Sequence, residues 1–420
     1  MPERLTSSAR AGVESGPPGE NGGLERSLTL PWLVFYGVGV TVGAGIFALV
    51  GEIVSLSGDN APLAFLVAGL VAGVTAVCYM QLVRAFPRAG GEAVYANRGL
   101  GMVAGRIAGL GVVVTGTISS AVIAIAFAGY VRSLVDVPES IVIVAVIVGL
   151  AAIAMAGVRE SVVFAAVITV IEVGTLLVVI YFGLPLLDDG GGIVDAVTPG
   201  VDGAGLSPIF AGAVVAFFAF VGFEDIANMA EETVEPRRTA PRAILWTLSI
   251  TMVVYTLLSV IAVLVVDRAA ITESDAPVAA LFEAVSGHDG RIVSVIAVVA
   301  MINGILVQIV MASRMLYGMA KERLLPPFFA VVQPSRQTPV RATLAVTGAI
   351  VVLALFFPLV ELARATSVVI LSVFTLVDFS LFALATKSPE MELGRWRWVG
   401  LVGGLLAIAL AGWEVSNWVT

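Results

Sequence analysis

The chain of 420 residues is 59% hydrophobic and only 13% charged, and its mean hydropathy is +1.02. A soluble domain is typically about 25% charged, so this composition excludes an ordinary soluble protein. One cysteine and one histidine exclude an intrachain disulfide and a two-histidine zinc helix. The net charge of −8 argues against nucleic acid as a partner.

Uncharged stretches long enough to cross a bilayer recur along the chain, which predicts an all-α polytopic membrane protein. Residues 1–30 are polar and lack a signal-peptide core, so we expect a disordered cytoplasmic tail. Eleven hydrophobic spans follow, and the length of the third and eighth leaves a twelfth open. The spans are 31–55, 61–85, 104–131, 140–157, 162–186, 208–231, 242–266, 291–319, 340–358, 365–386 and 397–418.

The charges between the spans predict the orientation. With the N-terminus inside, 19 of the 23 lysines and arginines fall in cytoplasmic segments. Membrane proteins carry such an excess of positive charge on their cytoplasmic side. We therefore expect a multi-pass protein of the cytoplasmic (plasma) membrane with a cytoplasmic N-terminus.

Glycines interrupt two of the spans. The first contains GVGVTVGAGIF (37–47), and the sixth contains Gly222 followed by Glu224 and Asp225. Small residues four apart can also form a helix-packing face, which is the alternative for the first span. Acids at membrane depth in the sixth span are costly and favour a functional break.

Both interrupted spans stand first in a block of five. This arrangement predicts a 5+5 inverted-repeat transporter with repeats at 31–187 and 208–386, discontinuous first and sixth helices, and a peripheral last span at 397–418. Unwound backbone offers N–H groups to a carboxylate and carbonyls to an ammonium. Such a site suits a zwitterion.

Several stretches resemble those of the amino acid–polyamine–organocation permeases, over nearly the whole chain. They are GVGVTVGAGIF (37–47), FPRAGGEAVYANRGLG (86–101), GVRES (157–161), AFVGFEDIANMAEETVEPRRTAPRAI (219–244) and SRMLYGMAKERLLP (313–326). The 219–244 stretch is the most specific of these. Many members of the family have twelve spans, so eleven would depart from the pattern at the peripheral end.

The resemblance implies the residues of a substrate site. The backbone that would hold the substrate carboxylate belongs to Thr41, Gly43, Ala44 and Gly45. The carbonyls that would face its ammonium belong to Val40, Phe218, Ala219 and Val221. The resemblance also implies that Phe218 is a gate closing over the substrate from outside, and a core aromatic is the alternative.

Glu172 is the candidate for coupling transport to protons. It lies about 16 Å into the fifth span at 1.5 Å per residue, where a carboxylate should be protonated or partnered. Relatives coupled to protons carry a lysine there, so that role does not transfer directly, and a packing role is the alternative. Glu224 is a second candidate, because it matches the family's GFE stretch and could link the sixth span to the gate.

Sodium is a weaker candidate for the coupling ion. Residues 297–305 of the eighth span contain no Ser or Thr, only Asn303, whereas relatives that bind sodium use hydroxyls there. A sodium symporter in which Glu172 is a ligand remains an alternative.

The sequence therefore predicts a secondary active amino acid transporter without cofactor or metal. An exchanger, a channel and a non-transporting sensor are the alternatives, and no enzymatic constellation is present in the sequence. The pocket side chains expected to choose the substrate are Thr115, Thr117, Ser119, Asn303 and Thr375. None of these is acidic, which favours a neutral amino acid.

Overall fold

The computed structural model describes residues 26–87, 90–157, 162–187, 198, 206–333, 338–387 and 393–419. The regular structure in this part of the chain is helical, with two isolated β-bridges. The helices are α1 (Leu30–Ser57), α2 (Ala61–Ala85), α3 (Gly91–Leu100), α4 (Met102–Arg132), α5 (Glu139–Ala156), α6 (Val162–Gly183), α7 (Ser207–Phe220), α8 (Asp225–Asn228), α9 (Pro236–Leu264), α10 (Arg268–Thr272), α11 (Pro277–Ser286), α12 (Arg291–Lys321), α13 (Val340–Phe356), α14 (Leu359–Lys387) and α15 (Arg397–Val419).

Nine stretches among the described residues are long and apolar enough to cross a membrane. The first, Leu30–Ala85, contains both α1 and α2, and α13 is a slightly shorter apolar helix. Each of the eleven predicted spans overlaps at least one helix of the structure. The protein is therefore a multi-pass membrane protein.

Two helices begin six residues before the spans predicted for them. The segment before the seventh span is not a loop, because α9 begins at Pro236, six residues earlier than predicted. Proline has no N–H, and the first N–H groups of a helix have no intrahelical acceptor, so proline is tolerated at this end. Likewise α14 begins at Leu359, six residues before the predicted tenth span.

The predicted N-terminal tail lies mostly outside the described residues. Its last part is described from Arg26, where Leu28 is buried and forms a bridge with Thr233. The backbone N–H of Leu28 donates to the carbonyl of Glu232, and that of Val234 donates to the carbonyl of Leu28. The chain is therefore attached to the segment after α8 before α1 begins.

The predicted interruptions of the first and sixth spans are confirmed. Within α1, Gly43 has φ 8° and ψ −137°, which is not helical. The sixth span is not one helix, because α7 ends at Phe220 and residues 221–224 form turns before the four-residue α8. Gly222 has φ 127°, a conformation that side chains with a Cβ rarely adopt.

α1 lies at the centre of the helix bundle and contacts α6, α7, α9 and α12. Glycines allow other pairs of helices to approach each other closely, as small residues do in membrane proteins generally. A Cβ at Gly99 of α3 would lie 2.5 Å from the Cα of Ser380 in α14. A Cβ at Gly403 of α15 would lie 2.6 Å from Oδ2 of Asp378 in α14.

A Gly222→Ala change tests the second break. The new Cβ would lie 2.9 Å from Cγ1 and 3.0 Å from the carbonyl carbon of Val40, at a positive φ. We expect a loss of about 1–3 kcal/mol of stability from the backbone strain alone. The measurement is the thermal unfolding midpoint in detergent. Gly73→Ala is the control, because nothing lies within 4 Å of a Cβ added there; equal midpoints for the two variants would contradict the strain.

Candidate functional site

The two helix breaks lie directly against each other. At the second break, a Cβ on Gly222 would lie 3.0 Å from the carbonyl carbon of Val40 and 3.1 Å from the Cα of Thr41, just before the first break. At the first break, a Cβ on Gly45 would lie 3.0 Å from the Cα of Ala219. Glycine is required at both positions because the two main chains approach within van der Waals contact.

Tyr255 of α9 connects the two breaks through its hydroxyl. That hydroxyl is 3.0 Å from the carbonyl oxygens of both Thr41 and Ala219, and 3.3 Å from that of Val42. The ring is fully buried and packs against Phe65 and Phe220. Tyr255 therefore supplies a donor to carbonyls that the unwound segments would otherwise leave without one.

A cavity of about 580 Å³, its open mouth included, lies beside the breaks. It contains seven of the eight residues predicted to bind substrate, together with Glu172, Ser119 and Asn303. The predicted binding residues that line it are Val40, Thr41, Gly43, Ala44, Gly45, Phe218 and Val221. α1, α4, α6, α7 and α12 all contribute to its walls.

Five residues expected at the site do not line this cavity, and three of them take part in hydrogen bonds accepted by backbone carbonyls instead. Ala219 is fully buried outside the cavity lining, and its carbonyl accepts from Tyr255. The hydroxyls of Thr117 and Thr375 donate to carbonyls of their own helices, those of Val113 and Leu371. These hydroxyls satisfy backbone groups one turn earlier.

Glu172 of α6 is the single ionisable side chain among the described residues that line this cavity. It is 2% exposed, and its Oε2 has no hydrogen-bond partner. The hydroxyl of Thr41, another lining residue, is also without a partner. The cavity thus contains an acidic and a neutral polar group that a ligand could use.

Phe218 lines the same cavity and is 5% exposed. It is the third residue from the end of α7, so its side chain is fixed immediately before the second break. Val221, which follows the end of α7, also lines the cavity. Phe218 therefore lies between a helix end and the cavity, and its role as a gate stays a prediction.

A second, smaller cavity adjoins the first and shares Val221 and Gln308 with it. We call it the inner cavity, because Glu92, one of its three carboxylates, belongs to a segment predicted to face the cytoplasm. Its remaining lining residues are Glu92, Val112, Thr115, Glu224, Asp225, Met311 and Ile370. Glu224 and Thr115, both predicted for the site, therefore lie here and not beside Glu172.

Glu224 stabilises the second break directly. Its Oε2 accepts a hydrogen bond of 2.8 Å from the backbone N–H of Gly222. The carboxylate thus accepts a hydrogen bond from a backbone N–H of the unwound segment. The sequence did not indicate this structural role for Glu224. Glu92 of α3 accepts a hydrogen bond of 3.1 Å from the hydroxyl of Tyr79.

Sequence reasoning missed both Tyr255 and Glu92. The signal for Tyr255 was a phenol in an apolar span, since a buried hydroxyl there needs an acceptor. The signal for Glu92 was an acid directly after the glycine pair of FPRAGGEAVY, at the start of a helix. In both cases the sequence gives the residue and not its partner.

α11 packs against the C-terminal half of α1, on the far side of the break at Gly43. The hydroxyl of Tyr130 in α4 donates to the carbonyl of Phe47 and accepts from the N–H of Val278 in α11. A Cβ at Gly51 of α1 would lie 3.0 Å from the carbonyl oxygen of Ile271. This short helix therefore packs against the half of α1 that follows the break.

Loss of the Tyr255 hydroxyl should weaken both breaks together. Tyr255→Phe keeps the ring but leaves buried carbonyls without a donor, which costs about 1–3 kcal/mol. We expect a lower thermal unfolding midpoint and weaker substrate binding. Tyr181→Phe, at a side chain that is 72% exposed, is the control. Unchanged stability and binding in Tyr255→Phe would contradict this role.

The pH dependence of stability should report on Glu92. Burial raises its pKa from 4.5 to about 7, and the Asp225 carboxylate adds to the rise, although hydrogen bonds from its own backbone, Tyr79 and Asn228 oppose it. Folding thus disfavours its ionisation, so this acid costs nothing below about pH 4.5 and up to about 3 kcal/mol above pH 7.

Glu92→Gln should remove that cost. We expect its unfolding midpoint, relative to wild type, to be higher at pH 8 than at pH 5. Glu322→Gln, at an exposed acid just after α12, should show no such trend. A midpoint difference that is the same at both pH values would contradict the assignment.

Comparison with known proteins agrees with this architecture. A family model described as amino acid permease matches residues 28–416. The cationic amino acid transporter 2, vacuolar, of Arabidopsis thaliana is 31% identical over 88% of this chain and 61% of its own length. The cationic amino acid transporter 3, mitochondrial, of the same plant is 30% identical over 88% of this chain and 64% of its own length.

An uncharacterized transporter of Mycobacterium tuberculosis is 34% identical over 79% of this chain and 74% of its own length. The chain thus spans less than two thirds of the length of the plant relatives it matches. The match of the family model covers nearly the whole sequence. The chain belongs to the amino acid permease family of the amino acid–polyamine–organocation superfamily.

Proposed function

We propose that the protein is a secondary active transporter that moves an amino acid across the membrane by alternating access. Blocks 31–187 and 208–386 are its two inverted five-helix repeats. The observation that carries the proposal is the meeting of two helix breaks beside one cavity. Transporters built from inverted repeats bind their substrate between such breaks.

The amino acid group binds at the first break in this proposal. Backbone N–H groups after Gly43 face the substrate carboxylate, because the second half of α1 begins there with its positive dipole end. Carbonyls of Val40, Phe218 and Val221 are near the substrate ammonium. The carbonyl of Ala219 is the least available of the predicted set, since Tyr255 donates to it.

Glu172 is the coupling group in this proposal, with a proton as the coupling ion. A charged carboxylate without a partner at membrane depth costs roughly 2.5–3.5 kcal/mol or more, and a proton removes that cost. The residues that α12 contributes to the cavity support protons over sodium. Only two of them, Asn303 and Gln308, have a side-chain oxygen that could bind a sodium ion. Glu224 is less suited, since its carboxylate is engaged with Gly222.

The transporter lies in the plasma membrane with a cytoplasmic N-terminus in this proposal. The excess of lysine and arginine in the segments predicted to be cytoplasmic supports this orientation. Two plant relatives are named as vacuolar and mitochondrial, so related transporters are found in more than one cellular membrane.

A cationic amino acid is a second candidate substrate, favoured by the position of Glu172. The sequence-based preference for a neutral substrate rested on the absence of an acid facing the pocket. Glu172 enters the lining from α6, and relatives are named as cationic amino acid transporters. Its unpartnered oxygen is suited to an ammonium or guanidinium, which would replace the proton.

Glu172→Gln in proteoliposomes distinguishes the two forms of the proposal. If the carboxylate carries a proton, a neutral amino acid such as L-alanine accumulates without sodium when the outside is acidic. The variant then loses accumulation and pH dependence but keeps counterflow exchange. If the carboxylate pairs with substrate, L-arginine accumulates up to about 50-fold at 100 mV, inside negative, and the variant loses L-arginine binding itself.

Asp378→Asn is the matched control, because Asp378 is a buried acid outside both cavities. It should retain accumulation in either form. Accumulation that requires sodium would contradict proton coupling, and uptake only into preloaded vesicles would identify an exchanger. An unchanged Glu172→Gln variant would remove Glu172 from the mechanism.

A further inference from the structure

The inner cavity concentrates acidic groups without a matching cation. Glu92, Glu224 and Asp225 line it and are 1%, 6% and 6% exposed, respectively. No lysine or arginine is among its described lining residues, and none of the ion pairs found in the described part of the chain involves these three acids. We propose that the inner cavity is a second binding site for an organic cation of the guanidinium type.

The existing hydrogen bonds leave capacity for a ligand. Glu224 accepts from Gly222, Glu92 accepts from Tyr79, and Asp225 accepts a longer bond of 3.4 Å from the amide of Asn228. An ionised carboxylate has about four acceptor positions on its two oxygens. A cation entering the cavity therefore finds acceptors that the protein does not fill.

Two neutral polar groups point independently to a ligand. Thr115 is 5% exposed, lines the inner cavity, and its hydroxyl has no hydrogen-bond partner. Oε1 of Gln308, another lining residue, is also without a partner. Buried polar atoms in native proteins usually have a partner, so two such atoms in one cavity indicate a missing donor.

The arrangement favours a planar organic cation over a metal ion. Within the described residues, no group of three or more acidic, histidine or cysteine side chains is spaced to hold a metal. A guanidinium presents five N–H donors in a plane and has no acceptor. It matches a set that offers carboxylate, hydroxyl and amide oxygens.

The shared wall relates this site to transport. Val221 and Gln308 line both cavities, so the two cavities are neighbours, and in this proposal a cationic group that leaves the main cavity moves next into the inner one. The inference rests on the proposed function in its cationic form, and adds a second position that the substrate's side chain occupies on its way through the protein.

Methylguanidinium is the probe, because it lacks the carboxylate and ammonium that the helix breaks would hold. Its binding to the full-length protein in nanodiscs is measured by isothermal titration calorimetry at pH 7.5, beside L-arginine. Glu92→Gln keeps the acceptor for Tyr79 but removes the charge, so we expect the Kd of methylguanidinium to rise about tenfold or more. Thr115→Val should raise it about two- to fivefold, and the control Asp378→Asn should not change it.

The outcomes separate this site from the proposed function. No binding of methylguanidinium, or binding that Glu92→Gln and Thr115→Val leave unchanged, overturns the inner site. Binding lost in Glu172→Gln but kept in Glu92→Gln also overturns it, because the cation then occupies the main cavity. If methylguanidinium binds as expected while L-arginine does not bind, the inner site stands and the cationic form of the proposed function falls.

Discussion

Every unwound residue inside a membrane protein needs a hydrogen-bond partner, since lipid provides none. In this structure one phenol lies between the two breaks and shares its single O–H hydrogen among their carbonyls. The hydroxyl of Tyr255 lies within 3.3 Å of three carbonyls, two from the first break and one from the second. A donor at this point therefore stabilises the interruption of α1 and the end of α7 together.

The remaining features of the site follow from that pairing. Gly222 and Gly45 allow the two main chains to touch, and Glu224 occupies the N–H of Gly222. The backbone groups on the opposite side of α1 are left facing the cavity, where Gly43 presents open space. At each break, some backbone groups are therefore hydrogen-bonded to Tyr255 or Glu224, and others lie beside the cavity, where a ligand could reach them.

The sequence predicts the parts of this arrangement that depend on local properties. Gly43 and Gly222 indicate the breaks because their conformational freedom belongs to the residue itself. Tyr255 and Glu92 could not be assigned, since their roles depend on atoms far away in the chain. The expected neutral substrate depended on which faces of the helices point inward, and hydropathy along an almost uniformly apolar helix contains little information about that.

The packing of α15 has a consequence for how the protein is made. Asp378 of α14 is fully buried and accepts a hydrogen bond of 2.9 Å from Thr75 of α2 at its Oδ2, and a Cβ added to Gly403 of α15 would lie 2.6 Å from the same oxygen. Because α15 follows α14 in the chain, α14 is made before the helix that packs against this carboxylate. Before α15 docks, a charged Asp378 that faced lipid would cost roughly 2.5–3.5 kcal/mol or more, so the docking of α15 favours the insertion of α14.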